Sequence, residues 1–309
     1  LIVGAGAMGA AFSIPLLDNG HSVTLTEPYN FKLLQKLNLE KKIHPSLNIN
    51  LPQKLKINKF SSDILNQKWD LIVIAVSSIG IDLIGKNLSK IKNKSPILVL
   101  TKGLKLDGRN LISMSSLLKK YNKNLNISVL KGPCLAKELA KKVKSFTVVA
   151  NKNINTAKKI GKLISTNYYQ TEFSRDVNGV EFLSAIKNIY SMVIGSGQWH
   201  NTSSALFRKS IDEMKYLANY FKGKKETVYG LAGLGDLYVS AMGGRNSKMG
   251  EYLGKGYTFT RAKKKFMKND TVEGADLAIE IAPFVFKKIN KRRIPLMISL
   301  LAVSYTHLT

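Results

Sequence analysis

The fold is decided by the N-terminal segment Leu1-Ile2-Val3-Gly4-Ala5-Gly6-Ala7-Met8-Gly9. A short apolar strand runs into a G-x-G-x-x-G loop, and helical periodicity follows over residues 7–19. In such a loop Gly4 permits the tight turn, Gly6 lets the backbone approach a pyrophosphate, and Gly9 allows close packing of the helix. The segment therefore predicts a dinucleotide-binding loop at the N-terminus of a helix.

An acidic residue lies where a dinucleotide-binding fold places one. Glu27 ends the next predicted strand, about 20 residues beyond the loop, and its carboxylate can accept the 2′-hydroxyl of an adenine ribose. Because a carboxylate repels a 2′-phosphate, Glu27 favours NAD over NADP, although Lys32 nearby could compensate such a phosphate. NAD is thus the preferred cofactor, with NADP as the second possibility. The residues predicted to bind it here are Gly4, Gly6, Ala7, Met8, Gly9 and Glu27.

The first half of the chain alternates strands with helices. Several strand candidates are continuous apolar runs that suit a parallel sheet buried on both faces, and the full set is Leu1–Val3, Ser22–Thr26, Leu71–Val76, Ile97–Thr101, Ile127–Leu130, Phe146–Ala150 and Tyr168–Phe173. After about Ser174 strand patterns stop and apolar residues recur at helical spacing. We predict an α/β, Rossmann-like doubly wound N-terminal domain over residues 1–174 and an all-α C-terminal domain over residues 175–309.

Length and composition exclude several classes of protein. The chain has 309 residues, 44% of them hydrophobic, with 48 Lys and Arg against 20 Asp and Glu, a net charge of +28. This hydrophobic content excludes a disordered chain, and no apolar run reaches the roughly 18 residues that span a bilayer. The one cysteine, Cys134, cannot form an internal disulfide, which fits a reducing compartment. We therefore expect a cytoplasmic protein without membrane insertion, and no motif indicates a metal site.

The positive charge permits a different class, a basic nucleic-acid-binding protein that kept a Rossmann fold. That interpretation would rest on the basic runs Lys141–Lys144, Lys263–Lys268 and Lys287–Arg293. No recognised nucleic-acid module accompanies these runs, and charge runs are usually solvated faces. We predict no nucleic-acid partner and interpret most of the excess charge as lysine-rich composition on the surface.

Lys187 lies within an apolar helical pattern. On a wheel of about 100° per residue it shares one arc with three apolar neighbours, namely Leu183, Tyr190 and Ile194. A half-buried lysine has its neutral form favoured and can exchange protons near neutral pH. The same spacing also permits a lysine whose stem covers the edge of the core while its ammonium reaches solvent.

A double glycine precedes a short helical pattern in the segment Gly243-Gly244-Arg245-Asn246. Glycines at a helix start free backbone N–H groups to face an anion, and an arginine there can bind a phosphate with two hydrogen bonds. A plain turn with a helix cap explains the same pattern, so this segment alone is ambiguous.

Seven short segments stand in order across nearly the whole chain. They are Gly4–Gly9, Thr101–Leu104, Gly132–Glu138, Ile186–Asn188, Gly230–Leu237, Gly244–Asn246 and Val272–Gly274. Together they resemble the NAD(P)-dependent glycerol-3-phosphate dehydrogenases of the soluble bacterial and archaeal type. The resemblance implies an oxidoreductase that interconverts sn-glycerol 3-phosphate and dihydroxyacetone phosphate, makes a precursor of glycerophospholipids, and forms a homodimer.

The resemblance also implies roles for individual residues. Lys187 would be the general acid/base at the C2 oxygen, Asp236 would hold that lysine and the substrate, and Lys102 would reach both cofactor and substrate; these three are the implied catalytic residues. The implied substrate-binding residues are Lys102, Gly132, Cys134, Asp236, Ser240, Gly244, Arg245 and Asn246. The further implied cofactor-binding residues are Lys102, Ala136, Arg245 and Glu273.

Some positions depart from the family pattern. Cys134 stands where Ser or Thr is usual, which replaces a hydroxyl donor by a weaker thiol, whereas Ser240 keeps the hydroxyl of the more common Thr. Family members also continue beyond the apolar stretch Pro295–Val303, so we expect a chain truncated at its C-terminus. The alternative is a two-domain 2-hydroxyacid or ketopantoate-type NAD(P) reductase, which shares the glycine loop and the helical-domain lysine but not the Gly-Gly-Arg-Asn segment.

Overall fold

Two compact units make up the chain. The computed structural model describes residues 1–39, 42–91, 94–268 and 270–306. The first unit comprises Leu1–Lys102 and Met114–Val177, and the second comprises Gly103–Ser113 and Asn178–Thr309. The chain therefore leaves the first unit after Lys102 and returns to it at Met114.

The strands are numbered in chain order over the described residues. They are β1 (Ile2–Val3), β2 (Thr24–Glu27), β3 (Ile43–His44), β4 (Ile49–Asn50), β5 (Lys56–Lys59), β6 (Ile72–Ile74), β7 (Ile97–Val99), β8 (Leu104–Asp107), β9 (Asn110–Ser113), β10 (Ile127–Lys131), β11 (Ser145–Ala150) and β12 (Tyr169–Ser174).

The helices are numbered in the same way. They are α1 (Ala7–Asp18), α2 (Phe31–Leu39), α3 (Ser62–Asn66), α4 (Ile81–Leu88), α5 (Met114–Tyr121), α6 (Ala136–Ala140), α7 (Ile154–Ile164), α8 (Val177–Ser196), α9 (His200–Tyr220), α10 (Asp236–Ala241), α11 (Arg245–Gly254), α12 (Phe259–Phe266), α13 (Glu273–Lys288) and α14 (Pro295–Thr306). A π-helical turn, Leu231–Gly235, leads into α10.

The first unit is built on an eight-stranded sheet in the order β12-β11-β10-β7-β6-β1-β2-β5. Six neighbouring strands of this sheet run parallel to one another, namely β10, β7, β6, β1, β2 and β5. Strand β11 is antiparallel to β10, and β12 is parallel to β11. Ile2 of β1 pairs with Leu25 on one side and Val73 on the other. All three side chains are buried, as expected for a parallel sheet covered on both faces. The predicted Rossmann-like fold is confirmed.

The chain order of the sheet puts a switch point at β1. From β1 the chain passes to β2 on one side of the sheet and later to β6 on the other. Ligands of open α/β sheets bind outside the carboxyl ends of the strands at such a point. The loop Gly4–Gly9 follows β1 there, so the fold places the glycine-rich segment at the expected edge.

Helix α1 begins and ends at residues that the sequence marks. Gly6 is its N-cap, and Gly20 has a φ of +80° just beyond its end. The N–H of Gly20 donates to the carbonyl of Leu17, and the N–H of His21 donates to that of Leu16. These bonds satisfy carbonyls that the last turn of a helix leaves open.

Several strands differ from the sequence prediction. The strands β3, β4 and β5 were not predicted, because β5 (Lys-Ile-Asn-Lys) is largely exposed at the sheet edge and lacks an apolar run. Strand β7 ends at Val99 and not at the predicted Thr101. The hairpin of β8 and β9 was also missed. It is the excursion that belongs to the second unit, where Leu104 joins the helical core and the Leu106 N–H donates to Glu280.

The second unit is helical apart from that hairpin. Its central helix, α8, has 20 residues and is buried on nearly all sides. It crosses α11 at backbone contact: a Cβ added at Gly250 would overlap the Met192 carbonyl oxygen, and one at Gly195 would overlap that of Ser247. Glycine at these positions therefore sets the separation of the two helices.

Over the described ranges, no helix is both long and apolar enough to cross a bilayer.

Candidate active site

The glycine loop has the shape that its sequence predicts. Gly4 has a φ of +112°, and a Cβ added there would lie 2.7 Å from the backbone of Ala75. A Cβ at Gly9 would overlap the Gly4 carbonyl oxygen, whereas a Cβ at Gly6 would meet nothing within 4 Å. Gly6 is exposed at the N-terminus of the 12-residue helix α1. The open space at Gly6 and the free N–H groups of that helix start fit a pyrophosphate. Ala7 and Met8 follow, half-buried, and pack on the core.

Glu27 is buried and holds the glycine loop. Its Oε2 accepts a hydrogen bond from the Ala5 N–H at 2.7 Å, and its Oε1 accepts from the N–H groups of Tyr29 and Asn30 at 2.9 and 3.2 Å. Three amide donors fix the carboxylate in one orientation. Each carboxylate oxygen can accept more than one hydrogen bond, so Glu27 can hold the loop and still accept a ribose hydroxyl.

His44 also holds the glycine loop, and sequence analysis missed it. Its Nε2–H donates to the Ala5 carbonyl at 3.0 Å, because its Nδ1 accepts from the Leu47 N–H. Burial lowers the pKa of His44 below its usual 6.5, partly offset by the bond to Ala5. The backbone N–H and the carbonyl of Ala5 are thus both hydrogen-bonded, to Glu27 and to His44 respectively. Only the hairpin of β3 and β4 brings His44 there, and the sequence carried no signal for it.

Two further strand ends carry predicted site residues in the first unit. Lys102, half-buried, follows β7, and Gly132, with a φ of +118°, follows β10. Because β1, β2, β7 and β10 are parallel, their carboxyl ends share one edge of the sheet with the glycine loop. Thr101 braces this edge: its Oγ1 donates to the Val76 carbonyl at 2.7 Å.

Cys134 and Ala136 lie in the turn after β10. Cys134 is half-buried against the core of the first unit, and its thiol is hydrogen-bonded to the Tyr169 hydroxyl. Burial, above all, and this thiol raise the pKa of Tyr169 well above 10. Ala136 is the first residue of α6 and is also half-buried.

A buried ion pair lies at the centre of the second unit. The Nζ of Lys187, on α8, donates to Oδ1 of Asp236 at 2.8 Å, and both side chains are about 95% buried. The same ammonium donates to the Ser240 Oγ, and Ser184 donates to the other Asp236 oxygen at 3.3 Å. Asp236 is the first residue of α10 and Ser240 lies one turn later. The helical wheel permitted either a lysine buried in the apolar arc or one whose ammonium reaches solvent. The structure shows the buried lysine.

The predicted phosphate-binding segment forms a helix start in the same unit. Gly244 is the N-cap of the ten-residue helix α11, and Arg245 is its first, exposed residue. The Asn246 Oδ1 accepts from the Gly274 N–H at 2.9 Å. Arg245 lies 4.0 Å from a carboxylate oxygen of Glu273, whose other oxygen accepts from Asn188 at 3.2 Å. Asn188 follows Lys187 on α8, so neighbouring residues of one helix contribute to the buried pair and to the contacts of this helix start.

The predicted residues therefore form two groups. One lies along the carboxyl edge of the sheet in the first unit and contains Gly4, Gly6, Ala7, Met8, Gly9, Glu27, Lys102, Gly132, Cys134 and Ala136. The other lies in the second unit and contains Lys187, Asp236, Ser240, Gly244, Arg245, Asn246 and Glu273. Over the described residues, no group of three His, Cys, Asp or Glu side chains could hold a metal ion.

Comparison with protein-family models matches both parts of the chain. Residues 1–157 match the model described as the N-terminus of NAD-dependent glycerol-3-phosphate dehydrogenase, and residues 176–309 match the model of its C-terminus.

Curated proteins of similar sequence agree with these matches. An NADP(+)-dependent glycerol-3-phosphate dehydrogenase from Archaeoglobus fulgidus is 29% identical over 307 residues, covering 94% of this chain and 90% of that protein. A glycerol-3-phosphate dehydrogenase [NAD(P)+] from Fusobacterium nucleatum is 31% identical, covering 88% of this chain and 83% of that protein.

Solved structures show the same fold. Glycerol-3-phosphate dehydrogenase from Coxiella burnetii superposes with a TM-score of 0.87 at 24% identity, covering 99% of this chain and 94% of that one. A D-mandelate dehydrogenase, which represents the alternative 2-hydroxyacid type, superposes with a TM-score of 0.61 at 14% identity, covering 99% of this chain and 97% of that one. That likeness is one of fold alone. The glycine loop, the buried lysine and the family matches lead to one assignment: this chain belongs to the NAD(P)-dependent glycerol-3-phosphate dehydrogenase family.

Proposed function

We propose that this chain interconverts sn-glycerol 3-phosphate and dihydroxyacetone phosphate with NAD(P)(H). The observation that carries the proposal is the buried Lys187–Asp236 pair. Asn188, the residue after Lys187 on α8, donates a hydrogen bond to Glu273, and Glu273 lies 4.0 Å from an exposed arginine at the start of α11. The second unit thus carries both a buried lysine that can exchange a proton and an arginine that can bind an anion, as a phosphorylated ketone requires. Family membership supports the same reaction.

Lys187 is the proposed general acid/base. When bound, the nicotinamide cofactor supplies the hydride that converts the C2 carbonyl into a C–H bond. In that direction the Lys187 ammonium gives a proton to the C2 oxygen, and in the reverse direction its amine takes the proton back. Asp236 and Ser240 hold Nζ in place from the side of α10, so the lysine needs little reorganisation before proton transfer.

The helix start at Gly244 is the proposed phosphate site. Arg245 is about half exposed and its side chain extends from the first residue of α11. Its guanidinium can bind phosphate oxygens with two hydrogen bonds, and the N–H groups of the helix start add further donors. Asn246 is held by the Gly274 N–H at its oxygen, so its amide NH₂ is the group that can donate to a phosphate.

The proposed cofactor-binding residues other than Arg245 and Glu273 lie in the first unit. The glycine loop holds the pyrophosphate of the cofactor, with Ala7, Met8, Ala136 and Glu273 as further contacts. Lys102 contacts both cofactor and substrate, while Gly132 and Cys134 contact the substrate. These assignments rest on the matching positions in the family pattern, and for Lys102 and Gly132 also on their location after the parallel strands β7 and β10.

NAD is the proposed preferred cofactor. Glu27 is immobilised by three backbone amides, so its carboxylate cannot swing away from a ribose 2′-phosphate. The resulting repulsion disfavours NADP, whereas a 2′-hydroxyl can donate to the same oxygens. We further propose a homodimer in the cytoplasm that supplies a glycerophospholipid precursor; the single cysteine and the family resemblance support this.

The experiment that tests the reaction compares substrates on the purified chain. Its consumption of NADH is followed with dihydroxyacetone phosphate and, separately, with ketopantoate as acceptor. We expect kcat/KM for the phosphorylated ketone to exceed that for the 2-keto acid by at least about 100-fold, since the phosphate contributes charge-assisted hydrogen bonds. Preference for the unphosphorylated acid would overturn the proposal in favour of the alternative reductase.

A further inference from the structure

Lys131, the last residue of β10, carries a charge into the interior of the first unit. Its side chain is only 2% exposed. The Nζ donates hydrogen bonds to three carbonyl oxygens, those of Val99 and Leu100 at 3.2 Å each and that of Thr101 at 2.6 Å. A lysine ammonium has three N–H donors, so these carbonyls match its full donor capacity.

The three acceptors belong to consecutive residues, so the backbone around the ammonium cannot be an extended strand. In an extended strand, successive carbonyls point to opposite sides. One ammonium can reach three of them only where the strand stops and the chain curls around it. Strand β7 indeed ends at Val99, two residues before the end that its apolar run predicts.

The curl lies directly before Lys102. The carbonyl that Lys131 holds most closely is that of Thr101, which shares a peptide bond with the Lys102 nitrogen. The Thr101 side chain is tied in turn to Val76 beyond β6. Lys131 itself is fixed by the pairing of β10 with β11, opposite Val148, and is followed by Gly132. Three neighbouring strand ends, β6, β7 and β10, are thereby linked at the edge where Lys102 stands.

We propose that Lys131 is a positioning residue that acts through Lys102. Its ammonium fixes the backbone from which the Lys102 side chain extends, and it couples that backbone to the Gly132 turn. This inference rests on the proposed function only in giving Lys102 a role in turnover. The structural part, that Lys131 orders the segment 99–102, stands independently of the reaction.

The first test measures amide hydrogen exchange in Lys131→Met, which keeps an unbranched apolar stem, one heavy atom shorter than lysine, and removes every donor. Exchange at residues 99–103 should be at least about tenfold faster than in the wild type, while the glycine-loop peptide stays unchanged. The matched control is Lys56→Met, an exposed lysine on the edge strand β5, which should leave both peptides unchanged. Equal exchange of residues 99–103 in wild type and Lys131→Met would overturn the proposal.

The second test is a double-mutant cycle with Lys102→Ala. We expect Lys131→Met to lower kcat/KM for dihydroxyacetone phosphate by about 10- to 100-fold. The double variant should be no worse than Lys102→Ala alone. Fully additive losses would mean that Lys131 does not act through Lys102. If Lys131→Met fails to fold, Lys131→Gln, whose amide retains two N–H donors, replaces it in both tests with smaller effects in the same direction.

The two tests also separate failure of this inference from failure of the proposed function. If the wild type does not reduce dihydroxyacetone phosphate, the proposed function fails and the exchange experiment alone decides the role of Lys131. If the wild type reduces dihydroxyacetone phosphate but exchange at residues 99–103 is the same in Lys131→Met, the inference about Lys131 alone fails.

Discussion

At the level of single residues, the buried Lys187–Asp236 pair affects the stability of the second unit and is the centre of the proposed chemistry. Taking two charges out of water is costly, and the pair is tolerated because Ser184 and Ser240 supply further hydrogen bonds. Removing one partner leaves the other charge buried without its counterion. A variant of this site must therefore be tested for folding as well as for turnover.

Lys187→Met should reduce kcat by about 10²- to 10⁴-fold, the range that general acid/base catalysis supplies. The Kd for NADH should stay unchanged, because the glycine loop and Glu27 lie in the first unit. Steady-state kinetics and fluorescence titration with NADH measure the two quantities.

The control is Lys187→Met combined with Asp236→Asn, which removes both charges. Breaking a buried pair costs about 3–5 kcal/mol, so the double variant should melt higher than Lys187→Met and remain inactive. Recovery of activity along with stability would show that Lys187 is structural only.

Glu27→Gln should shift cofactor preference toward NADPH. The amide keeps one oxygen, which serves the donors on one side of the former carboxylate, and it loses the negative charge, so repulsion of the 2′-phosphate falls. We expect the ratio of kcat/KM for NADPH to that for NADH to rise by about tenfold or more, corresponding to about 1.4 kcal/mol. An unchanged ratio would mean that Glu27 serves the loop and not the ribose.

His44 should make stability depend on pH. Burial lowers its pKa from 6.5, so the unfolded chain binds more protons than the folded chain in the interval below 6.5. Stability is therefore full above about pH 6.5 and falls as the pH drops toward the folded pKa, by at most about 1.4 kcal/mol per pH unit.

Thermal melts of wild type and His44→Gln between about pH 7.5 and 5.5 measure this effect. The variant should have a lower melting temperature than the wild type at pH 7.5, and its melting temperature should decrease less on acidification because it lacks the His44 proton uptake. Since the two chains differ only at His44, the comparison separates its effect from that of the other histidines. Parallel pH profiles would contradict the assignment.

At the level of elements, the close crossing of α8 and α11 fixes the distance between the site residues that these two helices carry. Helix α8 carries Lys187 and Asn188, and α11 begins with Arg245 and Asn246. The glycines at the crossing let the backbones touch. Any added side-chain atom must push the helices apart.

Gly250→Ala should destabilise the chain by about 1–3 kcal/mol, as overpacking does. The KM for dihydroxyacetone phosphate should rise because Arg245 and Asn246 move with α11. Lys248→Ala, an exposed change on the same helix, is the control. A melting temperature equal to that of the control would show that the crossing adapts without cost.

The elements also show why sequence predicted some parts of the fold and not others. The buried strands β1, β6, β7 and β10 are apolar runs, and burial on both faces requires that pattern, so they could be predicted. The edge strand β5 is polar because one of its sides faces solvent. The hairpin of β8 and β9 did carry a signal, Asp107-Gly108 with a φ of +58° at the glycine, which is typical of a tight turn.

Strand β7 ends early for a reason that lies elsewhere in the chain. Its apolar run continues to Thr101, but Lys131 draws the carbonyls of residues 99–101 toward one point. Local pattern cannot report a contact made by a side chain about 30 residues away. The same holds for His44, whose contact with Ala5 depends on an unpredicted hairpin. The motif residues of the site could be predicted, whereas the residues that brace them could not.

At the level of the whole molecule, the net charge of +28 divides into two kinds. Lys102, Lys187 and Arg245 have proposed roles with two phosphorylated ligands. Lys131 has a proposed role in positioning Lys102. The remaining excess is carried by many further lysines and arginines along the chain. A positive field of this kind attracts anionic ligands in general, and family membership identifies a nucleotide cofactor and a sugar phosphate as the ligands of interest.

We propose that this chain moves a hydride to C2 of dihydroxyacetone phosphate while Lys187 supplies the proton. The most direct measurement uses NADH deuterated at the transferred position of C4 and analyses the product by mass spectrometry. The wild type should yield sn-glycerol 3-phosphate with one deuterium at C2, and Lys187→Met should yield almost none at equal NADH occupancy. Absence of labelled product from the wild type, or equal labelling by Lys187→Met, would contradict the account.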